Sequence, residues 1–271
     1  MARSRSLSNA RAPLAIAACL MAMLSASPAL ALGTRQVDDG EDRFDLVELD
    51  LAHDRLELHW QDDAGHALAS IEGLRAWGVA QGRELVFAAN AGIYDREFKP
   101  LGLHVEEGVT RRALNTAKPR GTSGNFSLQP NGVFYVDRAG NAGVMTTQAW
   151  QAQAPDARIA SQSGPMLLID GQVNAAFDAA SQSGKIRSGV CAPSPHRVVF
   201  AVSETPVTFH RFASLLRDEA GCRDALFLDG TLSQLWTQDT GYVGAPAVML
   251  KPYVGMFAVF GDAPQAQSSG R

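Results

Sequence analysis

Short apolar or alternating runs, each closed by turn residues, make up most of the chain and predict strands rather than helices. Residues 44–51 and 55–60 have this character, and Ala52-His53-Asp54 between them reads as the turn of a hairpin. Residues 84–89 form a buried run that exits at Asn90-Ala91-Gly92-Ile93-Tyr94-Asp95. Residues 101–106, 125–129 and 133–136 are further strands, with Asn131-Gly132 among the turns that separate them. Residues 159–161 and 166–169 flank a kink at Ser163-Gly164-Pro165, and residues 186–191, 197–202, 225–228 and 256–260 complete the strand set.

Helical spacing occurs twice. Ile71, Leu74 and Trp77 recur within residues 70–81, ahead of Gly82. Phe209, Phe212, Ala213 and Leu216 form an apolar stripe that Thr208 can cap, running to about Glu219. The pattern predicts an α+β fold: a single domain of mixed, mainly antiparallel β-sheets with a few short helices. Residues 172–185, polar and rich in small side chains, read as a mobile loop of the kind that covers a site.

At 271 residues, with 46% hydrophobic and 19% charged side chains, the chain has the makings of a sizeable core. Its front end differs from the rest. Arg3, Arg5 and Arg11 precede an apolar run from Ala12 to Leu24, and Ala29-Leu30-Ala31 follows, the order of a secretory leader. Cleavage after Ala31 is expected, leaving residues 32–271 as the domain. Two alternatives stand: a lipoprotein box at Ile16-Ala17-Ala18-Cys19, or an uncleaved anchor, whose apolar run falls short of the roughly 20 residues that span a bilayer. The expected product is periplasmic or secreted, with no stable membrane anchor.

The formal charge is −4, and losing a leader with three arginines and no acids makes it more negative. That disfavours polyanions, and no nucleic-acid motif is present. Arg111, Arg112, Lys118 and Arg120 read as a solvated loop. With Cys19 removed, Cys191 and Cys222 remain, an even count for an oxidising compartment, and they are expected to pair. The alternative is two buried free thiols.

Asp229 is the focal residue. The run 225–228 is apolar on every side, so the acid stands where a doubly buried strand emerges, and a carboxylate there is costly unless used or paired. Gly230 permits positive φ or a ligand's close approach, and Ser233 can bring a hydroxyl beside the turn. The plainer alternative is an Asp-Gly turn. Asn90 and Asp95 offer an amide and a carboxylate at the 84–89 exit, where a turn role is equally open. His-Glu-x-x-His and Gly-x-Ser-x-Gly patterns are absent, and Ser183-Gly184-Lys185 lacks the upstream glycine of a phosphate-cradling loop. The six histidines are scattered, and His210 reads as a packing or surface residue.

The order of these edges, Asn90 to Tyr94, Asn125-Phe126, Ser163-Gly164-Pro165, Asp170-Gly171, Arg187-Ser188 and Asp229-Gly230, resembles the phosphodiester glycosidase family, from about Glu84 to Phe260. Its members look like they carry Asn-Gly-Gly and an aromatic where this chain has Asn90-Ala91-Gly92-Ile93-Tyr94, and Arg-Thr or Arg-Ser at Arg187-Ser188. Where they carry Asp-Gly-Gly-Gly-Ser, this chain has Asp229-Gly230-Thr231-Leu232-Ser233.

The resemblance implies a hydrolase acting on sugar phosphodiesters or related envelope glycans, with no cofactor and no metal ligand set. Asp229 would act at the anomeric carbon and Arg187 would hold the leaving phosphate. A second carboxylate would come from Asp95, Glu106, Glu107 or Asp170, with Asp95 the first choice. Asn90, Gly92, Asn125, Ser163, Gly164, Gly230 and Ser233 would contact the carbohydrate or sugar-phosphate substrate. For Arg187 the alternative is a structural ion pair with Asp229. A glycan-binding protein without turnover and a metal-dependent phosphodiesterase are the competing functions.

Overall fold

The computed structural model describes Met1 and residues 32–117, 124–230, 233–244 and 251–262. The expected leader, Lys118, Arg120, Thr231, Leu232 and the polar tail lie outside the described residues.

Strand β1 (Gly33–Asp39) turns into β2 (Asp42–Asp50), followed by β3 (Leu56–His59), helix α1 (Ile71–Ala80) and β4 (Arg83–Asn90). Next come β5 (His104–Glu106), β6 (Val109–Arg112), a 3-10 turn at Gly124–Ser127, β7 (Gly132–Asp137), β8 (Ala142–Thr146), α2 (Thr147–Gln153), β9 (Ala157–Ser163), β10 (Met166–Ile169) and β11 (Gln172–Val173). The chain continues through β12 (Ser188–Ser194), β13 (Arg197–Ser203), α3 (Phe209–Asp218), β14 (Ala225–Phe227), β15 (Leu235–Thr237), β16 (Gly241–Val243) and β17 (Met256–Asp262).

These strands form a seven-stranded sheet in the order β1-β2-β13-β12-β14-β10-β11, and two five-stranded sheets, β16-β15-β4-β17-β3 and β6-β5-β9-β7-β8. Among the described residues the pairings between these strands are antiparallel, in keeping with the expected α+β fold of mainly antiparallel sheets and short helices.

The three sheets meet on phenylalanines. Phe200 of β13 lies 5.0 Å from Phe87 of β4, 5.3 Å from Phe257 of β17 and 6.2 Å from Phe134 of β7, between ring centroids. Strand alternation then exposes the opposite faces to helices. In β13, Val198, Phe200 and Val202 face the shared core, while Val199 and Ala201 pack with Phe212 and Leu216 of α3. In β17, Phe257 and Val259 face the core, and Met256 and Ala258 pack with Ile71 and Leu74 of α1. Central strands are therefore covered on both sides, which is why their runs read as continuously apolar. Both helices start where expected, with the Ser70 and Thr208 side chains accepting from the backbone N–H groups of Gly73 and Arg211.

Two expectations fail for identifiable reasons. Strands β2 and β3 do not form a hairpin: β1 and β13 occupy both edges of β2, and β3 pairs with β17 in another sheet. The turn between them is nonetheless built, with the His53 and Asp54 N–H groups donating to the Asp50 carbonyl. Residues 125–129 are not a strand. Local bonds close the 3-10 turn, Leu128 N–H to the Asn125 carbonyl at 3.1 Å and the Ser127 hydroxyl to the Gly124 carbonyl at 2.7 Å, and Pro130 brings no N–H to a ladder.

Candidate active site

Four chain segments converge beyond the ends of β4, β9 and β14 and the start of β12. Leu228 N–H donates to the Ser188 carbonyl (3.0 Å), whereas Ser188 N–H donates to the Asp229 carbonyl (3.2 Å). Two residues thus oppose one, a bulge, and a bulge breaks side-chain alternation and re-aims the next side chain along the strand. The Ser188 hydroxyl lies 3.1 Å from both the Asp229 carbonyl and Asn90 Oδ1, and accepts Asp229 N–H at 3.4 Å. Ser163 makes the matching link: its hydroxyl donates to the Leu228 carbonyl (3.0 Å) and accepts from Ile93 N–H (3.4 Å). The Ser233 hydroxyl donates to the same Asp229 carbonyl. Asn90, Ser163 and Ser188 are buried, so these bonds lie where water does not compete.

Asp229 is half-buried, and two phenols lie within reach of its charge. Burial first, then the Asp229 charge, holds the Tyr94 hydroxyl above its usual range. Tyr253 is raised mainly by burial, with Asp229 among the charges that add to it, and its hydroxyl donates to Gln234 Oε1 at 2.9 Å.

Arg187 stands across the bulge, on the residue before Ser188. Only 3% exposed, it donates from Nε to the Val207 carbonyl (2.7 Å) and from a terminal nitrogen to the Ser183 carbonyl (3.2 Å). Its guanidinium lies over Phe209, 3.5 Å from the ring centroid, and burial lowers its pKa to about 10. Among the described residues no carboxylate lies within ion-pair distance of it. Two bonds leave three of its five N–H groups, and it lines a cleft of about 330 Å³ with Asn125, Ser183, Lys185, Phe209 and His210.

The 172–185 segment expected to cover a site is a wall of this cleft, held by Phe177 stacking on Phe209 at 4.8 Å and by Lys185 N–H on the Val207 carbonyl. Gly230 closes the gap between the two regions. A Cβ there would lie 3.7 Å from Asn125 Nδ2 and 3.5 Å from Phe227, ordinary contact distances.

Other expected contributors are placed differently. At Gly92 a Cβ would collide with the Gln162 carbonyl, and at Gly164 with Asn131 Oδ1, so close packing accounts for both glycines. Asp95 Oδ1 accepts from the backbone N–H groups of Glu97 (3.0 Å) and Lys99 (2.9 Å), and Arg112 lies 3.6 Å from Oδ2. Glu106 holds His104, Arg111 and Trp60 N–H, Glu107 pairs with Arg55 and Arg158, and the exposed Asp170 faces Arg223. The four acids offered as a second carboxylate thus serve turns and ion pairs.

The bridge between Cys191 and Cys222 is present, with Cα atoms 6.0 Å apart, tying β12 to the segment between α3 and β14. Sequence reasoning missed Tyr253 and the Phe209 shelf under Arg187. The only sequence signal for Phe209 was its place in the α3 stripe.

A sequence model of phosphodiester glycosidases matches residues 83–252. The chain belongs to the phosphodiester glycosidase family. It is 34% identical to an uncharacterized Escherichia coli K12 protein, YigE, over 207 residues, 76% of this chain and 77% of that one. The fold is similar to the zebrafish N-acetylglucosamine-1-phosphodiester alpha-N-acetylglucosaminidase catalytic domain, auto-inhibited by its pro-peptide: TM-score 0.55, 15% identity, covering 87% and 84% of the two chains. A hypothetical protein from Synechocystis matches with TM-score 0.51 and 14% identity over 84% of this chain and 61% of that one. Within this member of the family, Asn90, Arg187-Ser188, Asp229-Gly230 and Ser233 form one connected edge, and the segments carrying Gly92 and Ser163 brace it.

Proposed function

We propose that this phosphodiester glycosidase hydrolyses a sugar-1-phosphodiester outside the cytoplasm, with Asp229 acting at the anomeric carbon and Arg187 holding the phosphate that leaves. The observation that carries the reading is Arg187: a buried cation without a carboxylate partner among the described residues, in an open cleft, linked through Ser188 to the residue that bears the acid. An isolated buried charge is expensive, and an anionic ligand offsets that cost through charge-assisted bonds.

The reaction breaks the bond between the anomeric carbon and the phosphate oxygen, and water supplies the new hydroxyl. The departing phosphate monoester is already a good leaving group, so a strong general acid is not needed. Asp229 attacks the carbon or takes the proton of the attacking water. Ser188 and Ser233 hold the acid's backbone, Asn90 braces the Ser188 hydroxyl, and Asn125 lines the cleft.

The leader-like residues before Leu32 and the Cys191–Cys222 bridge support an exported protein acting on envelope glycans. No helix among the described residues is long and apolar enough to cross a membrane. Steady-state hydrolysis of N-acetylglucosamine-1-phosphodiesters in chelator-treated buffer tests the activity. Release of free sugar and phosphate monoester supports it, and binding without turnover means a glycan-binding protein on the same fold. Amino-terminal sequencing of the exported chain should begin at Leu32.

A further inference from the structure

The loop leaving β4 is built with more support than a connection needs. Leu101 N–H donates to the Ile93 carbonyl (2.9 Å), Asp95 N–H to the Lys99 carbonyl (2.9 Å) and Phe98 N–H to the Asp95 carbonyl (3.2 Å). The Asp95 side chain binds two more backbone N–H groups from inside the loop. At its tip Phe98 adopts φ +54°, a left-handed conformation that a bulky side chain takes only where its surroundings over-determine it.

All this support holds an aromatic ring out in solvent. Phe98 is 44% exposed, and its ring stacks on Tyr94, with ring centroids 5.8 Å apart and planes within 26°. The base of the loop is fixed to the active-site edge, since the Ser163 hydroxyl bridges Ile93 N–H and the Leu228 carbonyl. Tyr94 and Asp229 are the next residues along from that bridge, and the Asp229 charge is felt at the Tyr94 hydroxyl.

We propose that Phe98, backed by Tyr94, is the stacking platform for the pyranose ring whose anomeric carbon Asp229 reaches. This rests on the hydrolase reading and adds where the sugar lies. A pyranose presents a face of C–H groups, and a rigid aromatic face covers such a surface with little loss of side-chain freedom. The platform stands on the tyrosine side of Asp229, while the Arg187 cleft takes the phosphate, so the scissile bond spans the edge that Ser188 and Ser163 brace. Asp95 then acts as a positioning residue for the ring.

The experiment measures binding of N-acetyl-α-D-glucosamine 1-phosphate and α-D-glucose 1-phosphate by saturation-transfer NMR, together with steady-state kinetics and thermal melts, for the parent, Phe98→Ala and Phe98→Trp. Phe98→Ala should weaken binding and raise KM by about tenfold with kcat within about twofold, and Phe98→Trp should restore both. Ring protons of the sugar should lose saturation transfer in Phe98→Ala. A Phe98→Ala protein that melts, binds and turns over like the parent overturns the platform and leaves the hydrolase reading intact. A parent that binds the sugars through Phe98 but hydrolyses no phosphodiester keeps the platform and removes the hydrolase reading. A parent that binds neither sugar phosphate overturns the platform.

Discussion

Ser188 holds Asp229 by its backbone on both counts: the Ser188 N–H donates to the Asp229 carbonyl at 3.2 Å, and the Ser188 hydroxyl lies 3.1 Å from the same oxygen. The acid's position is thus set from the strand that also carries Arg187.

Ser188→Ala removes the hydroxyl from this junction and leaves Asn90 Oδ1 short of a partner. Stability should fall by about 1–2 kcal/mol. The catalytic effect should appear in kcat more than in KM, since the substrate does not meet this hydroxyl. Urea titration and steady-state kinetics check both, and a loss confined to KM would contradict the assignment.

Asp95 separates a positioning role from a catalytic one. Asp95→Asn keeps an oxygen that accepts from Glu97 and Lys99 N–H, whereas Asp95→Ala keeps none. Asp95→Ala should raise KM as Phe98→Ala does, and Asp95→Asn should recover most of that loss. A kcat collapse in Asp95→Asn by orders of magnitude would make Asp95 a catalytic carboxylate instead.

Two strands from Ser188, in register with it through Val202, Asp45 of β2 makes stability depend on pH. Its pKa rises from 3.8 to about 6, chiefly because it is buried and next because Glu204 lies beside it. The Gln36 side-chain amide donates to both acids, at 3.3 and 3.2 Å, and Asp45 Oδ2 is buried without a partner, the place where a proton shared with Glu204 would sit. A raised folded pKa means that the folded state holds the proton more tightly, so this contribution is complete below pH 3.8 and is lost as pH climbs through about 6. Asp45→Asn should therefore melt higher than the parent at pH 8, with the difference shrinking towards pH 4. Equal differences at both pH values would contradict the shared proton.

The Cys191–Cys222 bridge closes a loop of 31 residues in sequence separation, and the chain-entropy model assigns such a loop roughly 3 to 4 kcal/mol. Reduction, or Cys222→Ala, should lower the thermal midpoint accordingly. An unchanged midpoint would show that the reduced state keeps the loop closed by other means.

Local signals were legible in the sequence and long-range ones were not. Ser70 and Thr208 marked helix starts because a cap is a contact between near neighbours, and the apolar 225–228 run marked a strand covered on both sides. The β2–β3 hairpin failed because pairing is decided by which edges remain free, and β13, about 150 residues along, had taken the edge of β2. Asp229 was singled out by the apolar run it ends, and Arg187 and Ser188 through motif order, which survives without coordinates. The duties of Asp95, Gly92 and Gly164 depend on what fills the space beside them, and Phe209 under Arg187 and Tyr253 near Asp229 come from distant segments with no motif to mark them.

The central claim is that the Asp229 carboxylate acts at the anomeric carbon while Arg187 holds the leaving phosphate. Hydrolysis of an N-acetylglucosamine-1-phosphodiester by Asp229→Asn, with Arg187→Lys alongside and folding checked by thermal melts, tests it most directly. Asp229→Asn keeps the shape and removes the charge, so kcat should fall roughly 10²–10⁴-fold with binding much less affected. Arg187→Lys keeps a charge but loses the planar fork over Phe209, so its loss should be largest for substrates that expel a phosphate. A well-folded Asp229→Asn protein with the parent's turnover would show that Asp229 is a turn residue and that the site lies elsewhere.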